Sequence, residues 1–442
     1  MIMHILPNLI FLALLTTAIA VACINFGKIR RNILLGKPEK RNDHVAERLK
    51  MMLLVAFGQK KMFDRPIPAL LHLAVYLGFL IVNIEMLEIV IDGIFGSHRV
   101  FLQVLNDFYP FLINTFEFFA IAVVVSCVVF LIRRNILALA RFKSPELKQW
   151  PTYDANIILY VEIILMAAFL TMNATDQVLQ ARMVEHYTFA GNFFFSGLLK
   201  PIFENMDSAQ LINIERGAWW VHIVGVFIFL NYLPFSKHLH IMLAFPNTYF
   251  SNLKPKGEMT NMDVVTREVK SMLNLPVETA DVPVDGQNLR FGAKDATDLT
   301  WKNLLEAYTC TECGRCTSVC PANLTGKKLS PRKIMMDTRD RIVEIGSKTD
   351  RFGKFEDDNK SLLGDYITLE ELNACTTCNA CVEACPVNIS PVDIILQLRR
   401  YKVMEESQAP ASWNAMFSNM ETSSAPWKFS PADRFNWAEK LA

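Results

Sequence analysis

The chain has 442 residues, 52% of them hydrophobic and 20% charged, with 31 phenylalanines and a mean hydropathy of +0.22. That composition is too apolar for a disordered chain or for an ordinary soluble domain of this length. The 45 Lys and Arg against 44 Asp and Glu leave no basic excess of the kind a nucleic-acid binder carries, so nucleic acid is not an expected partner.

Five stretches of roughly 20 apolar residues, long enough to cross a bilayer, lie at about 5–26, 67–92, 110–132, 155–174 and 216–235. The first has no Lys or Arg ahead of it, and Lys28, Arg30 and Arg31 follow it, the reverse of a secretory signal. Ala22-Cys23 has the residues of a lipoprotein cleavage site, but the same missing basic start argues against cleavage. The loop after the first stretch carries eleven Lys and Arg between Lys28 and Arg65, and the loop after the third carries Arg133, Arg134, Arg141, Lys143 and Lys148. The opposite loops have Arg99 in one and Arg182 and Lys200 in the other. The positive-inside rule sets both basic loops in the cytoplasm. The expectation is a multi-pass protein of a bacterial inner membrane, in contact with lipid, with its N-terminus outside and everything after about residue 240 in the cytoplasm. Trp219 and Trp220, near the start of the fifth stretch, read as an aromatic belt at the outer interface. Were these runs core helices of a large soluble protein, the charge asymmetry of their flanks would be coincidence.

From about 241 the composition turns polar, and the segment to about 296 reads as a linker with one short helix around 262–273. The polar domain beyond it holds most of the ten cysteines. Cys23 and Cys127 stand alone in apolar runs, as small packing residues, whereas the other eight fall between Cys310 and Cys385. Such clustering points to metal or cluster ligation rather than to disulfides. Residues 310–321 read Cys310-Thr-Glu-Cys313-Gly-Arg-Cys316-Thr-Ser-Val-Cys320-Pro321, and residues 375–386 read Cys375-Thr-Thr-Cys378-Asn-Ala-Cys381-Val-Glu-Ala-Cys385-Pro386. Three thiolates in one tight loop can each reach a different iron of a cubane, while the fourth must come from elsewhere. A pair of zinc sites needs only paired C-x2-C units and leaves the remaining cysteines, the trailing Pro and the doubling unexplained. The surroundings repeat as well. Ser330-Pro331 and Ser390-Pro391 are helix starts, with Ser as N-cap and Pro at the first helical position. Gly346 reads as the stop of the first of these helices, and Thr368-Leu-Glu-Glu371 is a capping box ahead of the second cysteine run.

Both runs resemble the bacterial ferredoxin pattern, in which the fourth cysteine of each run ligates the other [4Fe-4S] cluster. The resemblance implies one cluster on Cys310, Cys313, Cys316 and Cys385 and a second on Cys375, Cys378, Cys381 and Cys320. With more than fifty residues between the runs, residues 295–402 are similar to the α-helical ferredoxin of heterodisulfide reductase small subunits and succinate dehydrogenase iron-sulfur subunits, rather than to the compact β-containing bacterial ferredoxin.

Histidines in the apolar stretches are the place to look for an electron partner. His72 lies just inside the second stretch, His222 about six residues into the fifth, and His238 and His240 at the fifth's other end. If the fifth helix continues past Pro234 with a kink, His222 and His240 are 18 residues apart. That is five turns and about 27 Å on one face, with His238 turned about 160° away from His222. His72 and His240 both lie at the cytoplasmic side, where a bis-histidine haem b could sit between the second and fifth helices. A lone membrane histidine is more often a hydrogen-bonded interior residue. The segment from His222 through Leu-Pro-Phe-Ser-Lys-His-Leu-His240 resembles the last span of the respiratory nitrate reductase gamma subunit, a five-span cytochrome b, and the cytochrome b subunit of membrane heterodisulfide reductase. That likeness implies His72 and His240 as ligands of the haem nearer the cytoplasm. The nitrate reductase pattern also has a deeper histidine in the second span; here Leu80-Ile-Val-Asn83-Ile-Glu85-Met86 has none, which puts an outer haem in doubt. His222 remains a candidate for a second haem, with Met86, His98 or His186 as partner, or for quinone, and His238 is a further candidate. Glu85, Glu88 and Glu117 are ionisable groups inside spans, functional by default. Glu85 and Glu117 are candidates for a quinone site that exchanges protons with the outer face; the alternative is that these carboxyls cap backbone or pair with Arg216.

The expected fold is therefore all-α: a five-helix membrane domain over 1–240, a linker over 241–296, an α-helical ferredoxin domain over 297–402 and a tail over 403–442. Trp413, Trp427 and Trp437 in the tail either dock a partner or wrap the chain's own domain. The expected function, by likeness to heterodisulfide reductase-like membrane complexes, is a membrane-bound electron-transfer subunit between the quinone pool, haem b and two [4Fe-4S] clusters. No Gly-rich nucleotide fingerprint and no adjacent Cys-Cys pair occurs. No catalytic residue for a soluble substrate is therefore expected, and the cysteine-rich catalytic domain of those complexes is assigned to a separate partner subunit. Two alternatives stand beside this reading. One is a quinone reductase fed directly by a soluble carrier; the other is a non-enzymatic membrane-anchored ferredoxin module.

Overall fold

A computed structural model describes residues 2–255, 257–276 and 290–439. Among these the regular elements are all helical, and the only bridges of extended backbone are isolated ones, Lys37 with Thr300 and Leu363 with Ile367. Five apolar helices, α1 (Ile2–Leu34), α2 (Pro66–Phe95), α3 (Tyr109–Leu131), α4 (Trp150–Ala181) and α5 (Ser208–Tyr232), form a bundle. Each belongs to a helical segment long and apolar enough to cross a membrane, where a helix is the one single-segment structure that satisfies its own backbone. Prolines open α2, α3 and α4, where a missing N–H costs nothing. α3 packs between α2 and α4, α4 lies along α5, and α1 closes the bundle against α2 and α5. Phe11, Ile113, Phe116, Phe169 and Ile223 are fully buried at its centre. Gly93 lets α2 approach α1, since a Cβ there would lie 2.7 Å from the Phe11 ring.

Four local expectations change. α5 begins at Ser208, earlier than the apolar stretch suggests, because Asp207 caps it by accepting from the Gln210 N–H. Trp219 thus lies eleven residues into the helix and is buried against Phe11 and Trp220; it is a core residue, not part of an interfacial belt. The helix does not continue past Pro234. Two single-turn segments, Leu233–Phe235 and Lys237–Leu239, separate it from α6 (His240–Tyr249), with the Ser236 hydroxyl accepting from the His238 N–H. Pro234 removes a donor from the helical ladder, so His222 and His240 are not on one helical face. Gly346 is not a stop but lies inside α8 (described below), and Cys23 is exposed on the outside of α1 while Cys127 is buried in the bundle.

The C-terminal domain is built on α7 (Trp301–Thr309), α8 (Pro331–Phe352), α9 (Leu369–Ala374) and α10 (Pro391–Arg400), each opened by a side-chain cap from Thr300, Ser330, Thr368 or Ser390. α8 ends at Gly353, in the left-handed conformation with φ +77°. Leu304, Ile334, Ile342, Ile367, Leu372, Ile394, Ile395 and Leu398 are fully buried between these helices. Between the bundle and this domain come α6 and the short helix Asp263–Met272; residues 277–289 of the segment read as a linker lie outside the described residues. After α10, α11 (Ala411–Ser423) leads into a tail on which Trp427 and Trp437 are exposed.

The two parts are joined along a seam. The Lys37 N–H donates to the Leu299 carbonyl at 2.7 Å and the Trp301 N–H to the Lys37 carbonyl at 3.0 Å. One turn back, Asn32 Nδ2 donates to the Tyr308 hydroxyl at 3.0 Å, and Arg31 bonds the Gly346 carbonyl and pairs with Asp350. A Cβ at Gly346 would stand 2.3 Å from Asn32 Oδ1, so glycine in mid-helix is what lets α8 meet α1. Gly346→Leu is expected to lower the apparent melting temperature of the detergent-solubilised protein, consistent with an overpacking cost of about 1–3 kcal/mol. Gly27→Leu, on α1 where an added Cβ meets nothing within 4 Å, is expected to leave it nearly unchanged.

Candidate redox centre at the membrane boundary

Each cysteine run leaves a helix abruptly. Cys310 and Cys375 both follow a helix in extended backbone, and the second and fourth residues after each cysteine take left-handed conformations: Glu312 and Gly314 in one loop, Thr377 and Asn379 in the other. The same backbone reversals at equal offsets turn both loops in the same way. At Gly314, φ is +72° and a Cβ would lie 2.4 Å from Arg332 Nη1, so a side chain is excluded there.

The loops bring their thiols together in two groups. Cys310, Cys313 and Cys316 lie within electrostatic reach of one another and of Cys385, while Cys375 and Cys381 lie within reach of each other, of Cys378 and of Cys320. Cys316 and Cys381 connect the groups. Burial pushes the Cys310 and Cys381 thiols up to about 12 and Cys385 up to about 11. Thiols so placed stay neutral in the absence of iron, and ligation is what would deprotonate them. Backbone amides of Thr377 and Ile389 donate to the sulfurs of Cys375 and Cys385 at 3.4 and 3.3 Å. Two groups of four sulfurs, each completed by the other run and supplied with N–H donors, fit the donor set of a pair of cubane clusters. Of the eight, Cys378 is exposed.

Both cysteine runs rest on the end of the bundle. Lys61 Nζ donates to the Cys385 carbonyl at 3.1 Å and to Asn388 Oδ1 at 3.0 Å, and Arg315 Nη1 returns a bond to the Lys61 carbonyl at 3.0 Å. Arg65 reaches Ser318 at 3.0 Å, and Arg332, fully buried, pairs with Glu146 at 2.7 Å. Lys237 bonds Glu312 at 2.6 Å and Arg339 bonds its other oxygen at 2.8 Å. Burial alone would raise the Glu312 carboxyl, but these two cations outweigh it and hold it below the usual glutamate range.

Beside this contact His72 and His240 face each other with ring centroids 6.2 Å apart. His72 Nδ1 is bonded to Gln59 Oε1 at 3.0 Å and His240 Nδ1 to the Lys237 carbonyl at 2.9 Å. Anchoring through Nδ1 leaves Nε2 of each ring as the ligating nitrogen. Two imidazoles sharing one metal ion through bonds of about 2 Å place their centroids at most ~6 Å apart, a separation this pair has, so the two rings could hold a common metal. Burial lowers the pKa of His240, which keeps the ring in its ligating form. His238 stacks 5.7 Å from His240, with its other neighbour the edge of Phe229 at 5.1 Å.

The remaining candidates lie toward the other end of the bundle, except His222, which the earlier start of α5 leaves near mid-helix rather than about six residues from its outer end. His222 is fourteen residues into α5, buried, and bonded through Nδ1 to the Leu165 carbonyl at 2.9 Å. His98 and His186 are ring neighbours at 5.4 Å, and His98 contacts Asp176 at 3.4 Å. Glu117 accepts from the amides of Phe195 and Ser196 and from Asn173, and Glu88 accepts from the Phe101 amide and the Tyr109 hydroxyl. Both carboxyls are thus occupied in capping. Arg216 pairs with its neighbour Glu215 rather than with any of the three expected carboxyls. Glu85 differs: it is 3% exposed and its Oε2 has no hydrogen-bond partner. Sequence reasoning missed Gln59, Lys61 and Arg65, which sit in a loop with no motif, Arg315, and the buried Arg99–Asp176 pair; the signals were that Arg315 stands inside the first cysteine run and that Arg99 is the sole Lys or Arg of its loop.

A family model described as a 4Fe-4S dicluster domain matches residues 309–389. The chain is 28% identical over 440 residues to the probable iron-sulfur-binding oxidoreductase FadF of Bacillus subtilis, covering 92% of this chain and 57% of that protein. It is 25% identical over 449 residues to the EtfAB:quinone oxidoreductase of Syntrophomonas wolfei, covering 96% and 58%. Over 148 residues it is 30% identical to a component of the dihydromethanophenazine:CoB–CoM heterodisulfide reductase of Methanosarcina mazei, 32% of this chain and 35% of that one. The chain thus spans less than two thirds of the length of the curated relatives it matches. No solved structure matches it significantly. The relatives are iron-sulfur oxidoreductases that include heterodisulfide reductase subunits, and the C-terminal region carries a dicluster ferredoxin domain behind five membrane-capable helices.

Two outcomes are expected. Cys385→Ser and Cys310→Ser should perturb the same EPR signal, and Cys320→Ser the signal that Cys375→Ser perturbs, each losing about four of eight irons; Cys127→Ser should retain all of them. The Glu312 contact, whose folded-state pKa is depressed, contributes stability above the unfolded-state value of about 4.3 and loses it as pH falls through the lower folded value. Melting temperatures measured from pH 7 downward should show a smaller acid-induced drop in Glu312→Gln than in the parent chain, from a lower starting point at neutral pH.

Proposed function

We propose that the chain is a membrane-bound electron-transfer subunit that relays electrons between the quinone pool, a haem b and two [4Fe-4S] clusters, to or from a cytoplasmic partner of the heterodisulfide reductase type. The observation that carries the reading is the meeting of two ligand sets at one end of the bundle. His72 and His240 face each other at 6.2 Å, and Arg315, within the loop of Cys310, Cys313 and Cys316, is a charged neighbour of His72. A haem b there would supply a one-electron carrier inside the membrane.

The chain's own residues have separate tasks in this reading. His72 and His240 hold the haem through Nε2, with Gln59 and the Lys237 carbonyl fixing their rings. Cys310, Cys313, Cys316 and Cys385 ligate the cluster on the membrane side, and Cys375, Cys378, Cys381 and Cys320 ligate the other. Arg315 and Lys237 hold the first loop, and Lys61 the end of the second, against the bundle. His222, a second-haem or quinone candidate, has only its Nδ1 engaged. The basic loops favour a bacterial inner membrane with the N-terminus outside and the clusters in the cytoplasm. The layout proposed is a membrane domain to 240, a linker to 296, the ferredoxin domain to 402 and a tail whose exposed Trp427 and Trp437 dock a cysteine-rich-domain protein. The names of two relatives, one a quinone oxidoreductase and one a heterodisulfide reductase component, support quinone and such a partner.

A second reading is favoured by one observation. Cys378 is exposed, which suits a quinone reductase whose second cluster exchanges electrons directly with a soluble carrier. Purification with a cysteine-rich-domain protein would decide for the first reading, and full quinone-linked turnover with a soluble carrier alone for the second. The decisive test of both is reduction of the purified protein with a quinol analogue, followed by optical and EPR spectra. A reducible b-type band that is lost in His72→Ala and His240→Ala, with cluster signals retained, is the expected result. Parent protein without that band would leave only a non-enzymatic membrane-anchored ferredoxin module.

A further inference from the structure

Glu85 is the most anomalous group in the bundle. A buried carboxyl oxygen without a partner, as Glu85 Oε2 is, is rare in a folded protein, and in lipid its cost is higher still. Arg99 does not explain it, because that guanidinium is paired with Asp176 and bonds Asn173 and Tyr109. Nor is it an isolated irregularity: at the same end of the bundle Ser196 Oγ, fully buried, and Gln177 Nε2, in a residue 7% exposed, also lack hydrogen-bond partners.

Glu85 lies at the inner end of a line of carboxyls on α2. Glu88 is three residues on and Asp92 four more, the spacing of a single helical face, and the line covers about 10 Å along the axis. Asp92 is near the last turn of α2, partly exposed, and accepts from the Ser97 hydroxyl at 2.6 Å and the Arg99 amide at 2.7 Å. Glu88, between them, accepts from the Tyr109 hydroxyl at 2.9 Å. The charged groups that face Glu85 are Glu88 on its own helix, Glu117 on α3 and Arg99 on the loop after α2. The line runs toward the end of the bundle opposite the cysteine loops.

We propose that Glu85 is the proton-exchange residue of the membrane domain, and that Glu88 and Asp92 form the ladder that connects it to the aqueous face away from the clusters. The step is acid–base. The Glu85 carboxylate accepts a proton from a hydroxyl donor in the membrane, forming one O–H bond as the donor's O–H bond breaks, and returns to carboxylate when the proton passes to Glu88, Asp92 and water. The same ladder runs in reverse when the donor is re-formed. This rests on the quinone-linked reading given above, in which oxidation of one quinol removes two electrons and releases two protons; Glu85 takes the protons in turn. Of the two carboxyls first considered for the site, Glu117 is committed to the Phe195 and Ser196 amides and to Asn173, which leaves Glu85 to meet the donor first.

The test uses the whole protein in sealed vesicles with a pH-sensitive dye on the side away from the clusters, driven by a quinol analogue and an oxidant of the clusters. Glu85→Gln is expected to slow quinol-linked haem reduction and far-side proton release together, on the order of a hundredfold, with the b-type band and both EPR signals intact. Glu185→Gln, on the exposed loop at the same end, is expected to behave as the parent. Glu85→Asp should recover part of the rate. Redox-induced infrared difference spectra of the unsubstituted protein give a reading that does not depend on any variant folding: a protonated-carboxyl band that changes with quinol reduction is expected, and its absence overturns the proposal. Parent-like proton release in a folded Glu85→Gln also overturns it while leaving the electron relay standing. If the unsubstituted protein shows no quinol-linked reduction, the relay reading falls and the ladder falls with it.

Discussion

The contact on which the rest of the structure depends is the hold that the end of the bundle takes on the two cysteine runs. Lys61 grips the backbone at Cys385 while Arg315 grips the backbone at Lys61, so each half supplies both a cation and a carbonyl. Hydrogen bonds from charged donors to carbonyls are stronger than neutral ones and need no matching carboxylate. They therefore survive next to sulfurs that carry negative charge once iron is bound. Lys237 and Arg339 add a shared carboxylate, Glu312, inside the first loop itself. Without this hold, the facing histidines and the cysteine groups would be two unrelated assemblies on one chain.

Turning points of the backbone decide how precisely the two parts meet. Pro234 ends α5 where a continuous helix would have carried His240 away along the helix axis, and the Asp154 carboxylate receives the Lys237 amide at 3.0 Å on the far side of the turn. The chain then doubles back as α6, where Asn247 bonds the Val387 carbonyl at 2.7 Å and Lys302 at 2.8 Å. One break thus delivers a histidine to the membrane boundary and an amide side chain to the ferredoxin domain. At the seam, Gly36 and Gly346 act by having no side chain, the first letting the Thr300–Trp301 backbone come close and the second making room for the Asn32 side chain.

Much of this was legible in the sequence, for physical reasons that differ from part to part. The spans announce themselves because lipid tolerates little else, and the cysteine runs because iron geometry fixes their spacing. Caps at Ser330, Thr368 and Ser390 were readable since an N-cap needs only a local hydrogen bond. What could not be read depends on partners distant in the chain. Gly346 looked like a helix stop because nothing nearby reveals Asn32, and Trp219 looked interfacial because polar Asp207 and Ser208 were not recognised as the start of its helix. Glu85 and Glu117 looked alike in sequence; only the turn at Phe195 and Ser196, some eighty residues away, separates a capping carboxylate from an unpartnered one.

The exchange of the fourth cysteine between runs also bears on the order in which the molecule can be made. In the proposed pairing the set containing Cys310 is completed only by Cys385, and the set containing Cys375, whose Cys320 is made early, only by Cys381, so neither group of four thiols exists until almost the whole domain has left the ribosome. All five apolar helices precede Cys310. In that pairing iron loading is a late event on a chain whose five apolar helices have all been made, and a nascent chain cut short before residue 381 has those helices but no complete site for either cluster.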